Sequence, residues 1–229
     1  RPTSMQSNVA KLEVMEDGSI YSSGDVTKRD VFDLNFTSDQ PITALRLEAL
    51  TDDRLPGYGP GRCYYEGRKG TFFLSEVEVK TANEIKVPLA KPIASGGNGA
   101  EKVIDQDGSS GWSSAIGQAN HLILPLAKPL PANQSLSISL LFERHFVASL
   151  GRFRISATSS EKQFKAAKIG VEAEHILSLR EQASTADLTQ LRSIYLEKVF
   201  LEKPSPAKPG AIQKNTQWIW TAKGNRPQE

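Results

Sequence analysis

The sequence lacks most features that identify a class of protein directly. It has one cysteine, Cys63, among 229 residues, so neither an intrachain disulfide nor a cysteine-based zinc site can form. No apolar run approaches the length of a membrane-spanning helix. Because 28 Lys and Arg stand against 26 Asp and Glu, the formal net charge is only +2. This balance predicts neither a nucleic-acid partner nor a membrane-surface protein, and the lack of a long apolar run predicts no membrane insertion.

The common catalytic and nucleotide-binding motifs are also missing. The chain has no Walker loop, no Gly-x-Ser-x-Gly and no paired-histidine zinc motif. Of its three histidines, only His145 lies in a predicted loop suited to a site, whereas His121 begins a predicted strand and His175 lies in a predicted helix. We therefore predict that the protein is not an enzyme, and hydrolysis by His145 with a carboxylate stays open as an alternative.

Residues 9–160 carry the alternating pattern of half-buried β-strands. Apolar and polar residues alternate through Val31–Thr37, Thr43–Leu50 and Phe72–Lys80. The other predicted strands are Lys11–Met15, Ile85–Pro88, His121–Leu126, Leu136–Phe142 and Phe153–Thr158. Many short strands without intervening helices indicate a mainly β protein, with a jelly-roll β-sandwich over residues 1–160.

The pattern becomes helical after residue 160. Apolar spacing predicts one helix over Glu172–Gln182 and a second after the N-cap candidates Ser184 and Thr185. We expect a C-terminal α-helical hairpin over residues 161–203, packed on the sandwich. Residues 204–229 are predicted to be a Pro-rich linker and the truncated start of a following domain, so we expect the chain to be part of a longer protein.

The loop Asp52–Gly70 combines tyrosines and arginines with glycines. Exposed tyrosines suit stacking on the C–H face of a sugar, and arginines bind hydroxyl or acidic groups. An alternative is that the tyrosines fold back over the edge of the sandwich. Further arginines after residue 143 could form a second basic cluster, for which ion pairs to nearby carboxylates are the alternative. The candidate ligand-binding residues are Tyr58, Arg62, Tyr64, Tyr65, Arg68, Trp112, Arg144, His145 and Arg152.

Two other segments together carry oxygen ligands of the kind that calcium prefers. In Leu74–Val79, alternation places Glu76 facing inward or at the end of a sheet, and Ile104–Trp112 is an Asp-, Gly- and Ser-rich turn closed by a Trp. Hard cations bind carboxylate, hydroxyl and main-chain oxygens, which these segments could supply jointly.

Both segments resemble signatures of glycan-binding discoidin-like domains, also called coagulation factor 5/8 type C or galactose-binding-like domains. Those domains carry the Asp turn early and the Glu-containing strand last, whereas this chain has the inverted order, as in a circular permutation. The resemblance implies a structural calcium ion. Its implied ligands are the side chains of Glu76 and Asp105, main-chain oxygens of Ser75 and Asp107, and Ser113 or Ser114.

A second resemblance spans residues 40–200. The matching segments are Leu55–Arg62, Phe73–Val79, Ile104–Trp112 and Leu150–Ser156. They are similar to the central segment of large secreted planctomycete-type proteins, which fuse a cytochrome c-like domain with domains of unknown function. This resemblance implies a periplasmic or extracellular location, with neighbouring domains of the same polypeptide as partners.

The residues and the resemblances together predict a non-catalytic carbohydrate-binding module. It would belong to a secreted or envelope multidomain bacterial protein and bind a polysaccharide, with calcium as a structural cofactor. One alternative is a structural spacer or protein-interaction domain without a glycan ligand. The other is a glycan-active hydrolase that uses His145.

Overall fold

The structure is a computed structural model that describes residues 1–114, 117–160, 163–166, 171–179 and 182–201. The chain divides into two compact units, residues 1–182 and 183–229. The predicted linker and following domain over residues 204–229 lie outside the described residues. Across the described ranges, no helix is both long enough and apolar enough to cross a membrane.

Ten strands form two antiparallel sheets in the described part of the first unit. The strands are β1 (Ser4–Ser7), β2 (Ala10–Val14), β3 (Ile20–Gly24), β4 (Asp30–Ser38), β5 (Ile42–Ala49), β6 (Glu76–Thr81), β7 (Ile93–Ala94), β8 (Asn120–Leu130), β9 (Gln134–Phe142) and β10 (Arg152–Thr158). The first sheet has the order β1-β4-β9-β6, and the second has the order β2-β3-β10-β5-β8-β7. The protein is therefore mainly β, as the alternating pattern predicts.

The two sheets enclose one hydrophobic core. Alternate residues of the central strands β4 and β9 point into it, as the period of two along a strand requires. Phe32 of β4 stacks on Phe153 of β10 with ring centroids 5.8 Å apart, and it meets Phe142 of β9 edge-on at 4.9 Å. These rings join the facing sheets, which gives the layering of a β-sandwich.

The predicted strands differ from the observed ones mainly in the short strands and in the segments around β6. The short strands β1, β3 and β7 are missing from the prediction, because their sequences carry little apolar alternation. Residues Ile85–Pro88 form no strand and contribute only a bridge between Lys86 and Lys80. The strand predicted to begin at Phe72 begins only at Glu76, the first residue of β6.

A first helix, α1 (Val171–Leu179), belongs to the same unit as the sheets. Ala173 and Ile176 are buried. Glu174 accepts a hydrogen bond from Arg46 of β5, with Nη1 and Oε1 3.0 Å apart. The ion pair therefore joins the helix to the six-stranded sheet, and two of its apolar side chains are shielded from solvent.

The sheet surface around Arg46 holds further buried charge. Glu48 is buried between two arginines, with Arg46 at 3.1 Å and Arg154 at 2.5 Å. His121 lies beside Arg46, with 3.3 Å between Nδ1 and Nη2. Burial, followed by the charge of Arg46, lowers the pKa of His121, so the neutral imidazole is favoured here. His121 is a structural residue of this face.

A second helix, α2 (Thr185–Leu201), lies in the second unit. Its start is a reciprocal cap, as predicted at Ser184: the Ser184 hydroxyl accepts from the Asp187 N–H at 3.1 Å, and Asp187 accepts from the Ser184 N–H at 2.8 Å. Both predicted helices are thus present. Their packing as a hairpin stays a prediction.

Replacing Phe32 by Ala removes the ring that joins the two sheets. We expect the free energy of unfolding to fall by about 3–5 kcal/mol, the usual cost of truncating a buried Phe. Urea denaturation followed by Trp fluorescence measures this. Ile85→Ala, at an exposed position, is the control and should change stability by less than about 0.5 kcal/mol. Equal small effects of the two substitutions would contradict a shared core.

Candidate functional site

A short antiparallel contact organises the site. The N–H of Leu74 donates to the carbonyl of Trp112 at 2.9 Å, and the N–H of Trp112 donates back to Leu74 at 2.8 Å. Both side chains are fully buried. In an antiparallel pair, residues after Leu74 lie beside residues before Trp112, and the converse holds on the other side. This bridge therefore has a carboxylate pair on one side and a groove on the other.

The carboxylate pair consists of Glu76 and Asp105. Glu76 is the first residue of β6, and Asp105 follows the 3₁₀ turn Ala100–Ile104. Asp105 accepts hydrogen bonds from the N–H of Asp107 at 3.0 Å and from the hydroxyl of Ser110 at 2.6 Å. Burial, followed by the adjacent Asp105 carboxylate, raises the pKa of Glu76 to about 7. The structure thus brings Glu76 and Asp105 together, although their order along the chain is the inverse of that in discoidin-like domains.

The Glu76 carboxyl interacts with Asp105 and with the N–H groups of Gln106 and Asp107, but one of its oxygens has no partner in the described part of the chain. Its Oε1 is buried and accepts no hydrogen bond from any described residue. A buried carboxylate oxygen without a partner is costly, and either a proton or a cation relieves the cost. This orphaned oxygen next to a second carboxylate fits a cation that prefers oxygen ligands.

Further oxygen ligands for such a cation must come from groups other than carboxylates. Within the described ranges, no cluster of three or more His, Cys, Asp or Glu side chains has the arrangement of a metal site. Asp107 is engaged in its own turn, since its Oδ1 accepts from the N–H of Ser109 at 2.9 Å and from the Ser109 hydroxyl at 2.6 Å. The remaining ligands would therefore be hydroxyl, main-chain and water oxygens.

The serines are placed differently from the set that the resemblance implies. Ser75 adjoins Glu76, and its hydroxyl accepts from the N–H of Glu143 at 3.2 Å. Ser113 and Ser114 line the groove, because they follow Trp112 and so lie on the opposite side of the bridge. The register of the bridge therefore corrects the prediction that Ser113 or Ser114 belongs to the carboxylate pair. Ser110, which the sequence analysis missed, lies at the carboxylate pair instead, where its hydroxyl donates to Asp105.

The groove has a volume of about 540 Å³. It combines one partly exposed aromatic ring with several hydrogen-bonding side chains. The residues that give it this character are Arg68, Phe73, Asn98, Ser113, Ser114 and His145. The His145 ring meets Phe73 edge-on, with centroids 5.8 Å apart. The hydroxyl oxygen of Ser114 is buried and has no hydrogen-bond partner in the described part of the chain.

A glycine-rich turn forms one wall of the groove. The indole N–H of Trp112 donates to the carbonyl of Gly96 at 3.0 Å, and Asn98 pairs with Ser113 through two backbone hydrogen bonds. Gly97 has a φ of 82°, and a Cβ there would lie 2.0 Å from the Ser113 carbonyl oxygen. Only glycine fits this approach, so the turn holds Asn98 at a fixed place in the groove.

Trp112 is a core residue. It is 0% exposed and packs edge-on against Phe72 at 4.9 Å. Its predicted contact with a ligand is therefore corrected: Trp112 supports the Gly96 turn from below and has no surface to offer.

Arg62 and Arg152 are also engaged within the protein. Arg62 is 8% exposed and donates to the carbonyls of Gly24 at 2.6 Å and Asp25 at 3.2 Å. Arg152 forms an ion pair with Asp17 at 2.7 Å. Neither arginine lines the groove, so the structure gives both a role in fixing loops.

The three tyrosines of the loop are exposed. Tyr58, Tyr64 and Tyr65 expose 69%, 57% and 76% of their surface, so they do not cover the edge of the sheets. Arg68 of the same loop reaches the groove, whereas Tyr64 lines a separate recess beside Tyr21. Of the predicted loop residues, only Arg68 contributes directly to the groove.

A second recess, of about 490 Å³, adjoins the groove at His145, which lines both. We call it the basic recess; it is lined by Lys28, Gly108, Ser109, Glu143, Arg144 and His145. Arg144 donates to the carbonyl of Ser109, and its guanidinium carbon lies 5.6 Å from the centroid of Phe73.

The sequence analysis identified neither Lys28 nor Asn98 as a site residue. Lys28 lies in the connection before β4, far along the chain from Arg144, and no local pattern links them. Asn98 could have been found from its place in the Gly96–Gly99 turn, where the flanking glycines leave one side chain to point outward.

No protein-family model matches the chain, and no curated protein sequence matches it. Among solved structures, it is similar to the catalytic domain of a GH87 α-1,3-glucanase in complex with nigerose, with 12% identity and a TM-score of 0.30. A variant of that domain in complex with tetrasaccharides gives 14% identity and the same TM-score of 0.30. The alignments cover 71% of this chain but only 28% of the other chain. A TM-score this low does not bear on fold or function.

Glu76 should make stability depend on pH. Its pKa in the folded protein, about 7, exceeds its ordinary value of 4.5. The protonated form therefore favours folding, and this contribution is complete below pH 4.5 and lost as the pH rises through about 7. In the presence of a chelator, Glu76→Gln should melt at a higher temperature than the wild type at pH 8 and at a similar temperature at pH 4.5. Thermal melts at both pH values measure the difference; an equal effect at both would contradict the shift.

Proposed function

We propose that this chain is a non-catalytic carbohydrate-binding module whose groove holds part of a polysaccharide. The observation that carries the proposal is the pairing of a partly exposed ring, Phe73, with hydrogen-bonding side chains at Asn98, Ser113 and His145. A sugar needs both, because its C–H face packs on an aromatic ring while its hydroxyls need donors and acceptors.

The Ser114 hydroxyl adds to this support. It is buried, and no described residue satisfies it. Buried polar groups are nearly always paired, so an unpaired hydroxyl in the wall of a groove favours a ligand with hydroxyls of its own. Arg68, exposed at the rim, offers further donors to such a ligand.

We also propose a structural calcium ion at Glu76 and Asp105, together with main-chain oxygens of the turn and the Ser110 hydroxyl. Its support is the buried, unpaired Oε1 of Glu76 beside a second carboxylate. A bound cation would neutralise this pair and fix the turn. Because Ser109 in that turn accepts the hydrogen bond from Arg144, fixing the turn also fixes Arg144 over Phe73.

The larger context follows as part of the same proposal. The module would have the jelly-roll topology of galactose-binding-like domains and belong to a secreted or envelope multidomain bacterial protein. Neighbouring domains of the polypeptide would be its partners, in the periplasm or outside the cell. The two antiparallel sheets around one core are compatible with this fold.

A second candidate function is that of a protein-interaction domain. On α2, the large apolar side chains of Leu188 and Tyr195 are exposed. Residues seven apart lie on one face of a helix, so these two form an apolar strip that a neighbouring domain could cover. This candidate predicts no glycan binding, with or without calcium.

Isothermal titration of the chain with a panel of polysaccharides distinguishes the two candidates. We expect binding with calcium present and weaker binding with a chelator. Phe73→Ala should weaken it about tenfold, or 1.4 kcal/mol, because the ring surface is lost. Ser114→Ala should weaken it less, and Ile85→Ala, an exposed apolar position, should not.

Absence of binding in both conditions would favour the interaction domain. Binding that persists unchanged in Phe73→Ala and Ser114→Ala would place the ligand elsewhere and contradict the groove.

A further inference from the structure

We infer that the polysaccharide is anionic and that its carboxylate or sulfate group lies in the basic recess, between Lys28, Arg144 and His145. This inference rests on the proposed glycan-binding function. It adds the charge of the ligand and the residues that recognise that charge.

Within the described ranges, the cations around this surface have no protein counter-ion. None of the ion pairs in the described part of the chain involves Lys28, Arg68 or Arg144. Arginines elsewhere are mostly paired with a carboxylate; those with such a partner are Arg29, Arg46, Arg54, Arg152 and Arg154. Unpaired cations that converge on one concave surface create a positive potential that attracts an anion.

The carboxylates near this surface are already engaged. Glu143 lines the recess, and its Oε2 lies 3.5 Å from the guanidinium Nε of Arg29. Glu66 accepts a hydrogen bond from the N–H of Phe146 at 2.9 Å. Since neither pairs with Lys28 or Arg144, both of these cations remain available to a ligand.

The position of Arg144 connects this charge to the sugar-binding surface. Its guanidinium donates to the Ser109 carbonyl and lies 5.6 Å from the centre of the Phe73 ring, within the span of one sugar residue. A planar guanidinium can donate two parallel hydrogen bonds to a carboxylate or a sulfate. A sugar ring against Phe73 would therefore place an acidic substituent beside Arg144, with Lys28 as a second, more mobile cation.

His145 makes the two surfaces continuous. It lines both the groove and the basic recess. An extended polysaccharide can thus occupy the groove with one residue and present its charge to the recess from the same or the next residue. The separate recess beside Tyr21 does not share any of these residues.

The test compares polysaccharides that differ only in charge. Polygalacturonate is set against its methyl ester, and dextran sulfate against dextran, in titrations with the calcium-loaded chain. We expect at least one charged member to bind about tenfold or more tightly than its neutral partner. The two pairs also distinguish a carboxylate from a sulfate as the recognised group.

Variants then assign the effect to the recess. Lys28→Gln should weaken binding of the charged member about tenfold and leave binding of its neutral partner unchanged, and Arg144→Gln should weaken binding of the charged member about tenfold more than binding of its neutral partner. Lys128→Gln, at an exposed position of β8 outside both surfaces, removes the same charge and is the matched control.

Each other outcome overturns the inference. Equal affinity for charged and neutral members overturns it and leaves the proposed glycan-binding function intact. A loss in Lys128→Gln as large as in Lys28→Gln shows non-specific attraction and overturns the recess as the site. Failure of every polysaccharide to bind overturns the proposed function and the inference together.

Discussion

Two backbone hydrogen bonds between Leu74 and Trp112 set the geometry on which the site depends. They connect the segment that enters β6 to a turn from a distant part of the chain, and the buried side chains around them seal the contact. Because the pairing is antiparallel, it decides which serines meet Glu76 and which ones enter the groove. The carboxylate pair and the groove therefore lie on the two sides of one bridge, so a structural change on one side is transmitted to the other.

The buried indole of Trp112 extends this control to the wall of the groove. It holds the Gly96 carbonyl, and Gly97 has no room for a side chain, so Asn98 stays where a ligand could meet it. On the carboxylate side, the turn that contains Asp105 also provides the Ser109 carbonyl for Arg144. The carboxylate pair is thus connected to Arg144 by direct contacts, and through them the proposed ion would act on the proposed binding surface.

The sequence predicts the central strands well and the site only in part. Alternation places β4, β5 and β9 within one or two residues, because both sheets bury one face of each strand. Resemblance to known motifs pairs Glu76 with Asp105, and the structure brings them together. The assignment of Ser113 or Ser114 to the carboxylate pair was wrong because it depends on the register of the Leu74–Trp112 bridge. Lys28 was missed because only the tertiary fold brings it close to Arg144.

The central claim is that Glu76 and Asp105 form a single cation site beside the groove. Anomalous diffraction from a crystal of this chain grown with calcium tests it most directly. The account predicts an anomalous peak within oxygen-ligand distance, about 2.3–2.6 Å, of both carboxylates. A well-ordered structure with calcium present, no peak there and the Oε1 atom of Glu76 still without a partner would contradict it.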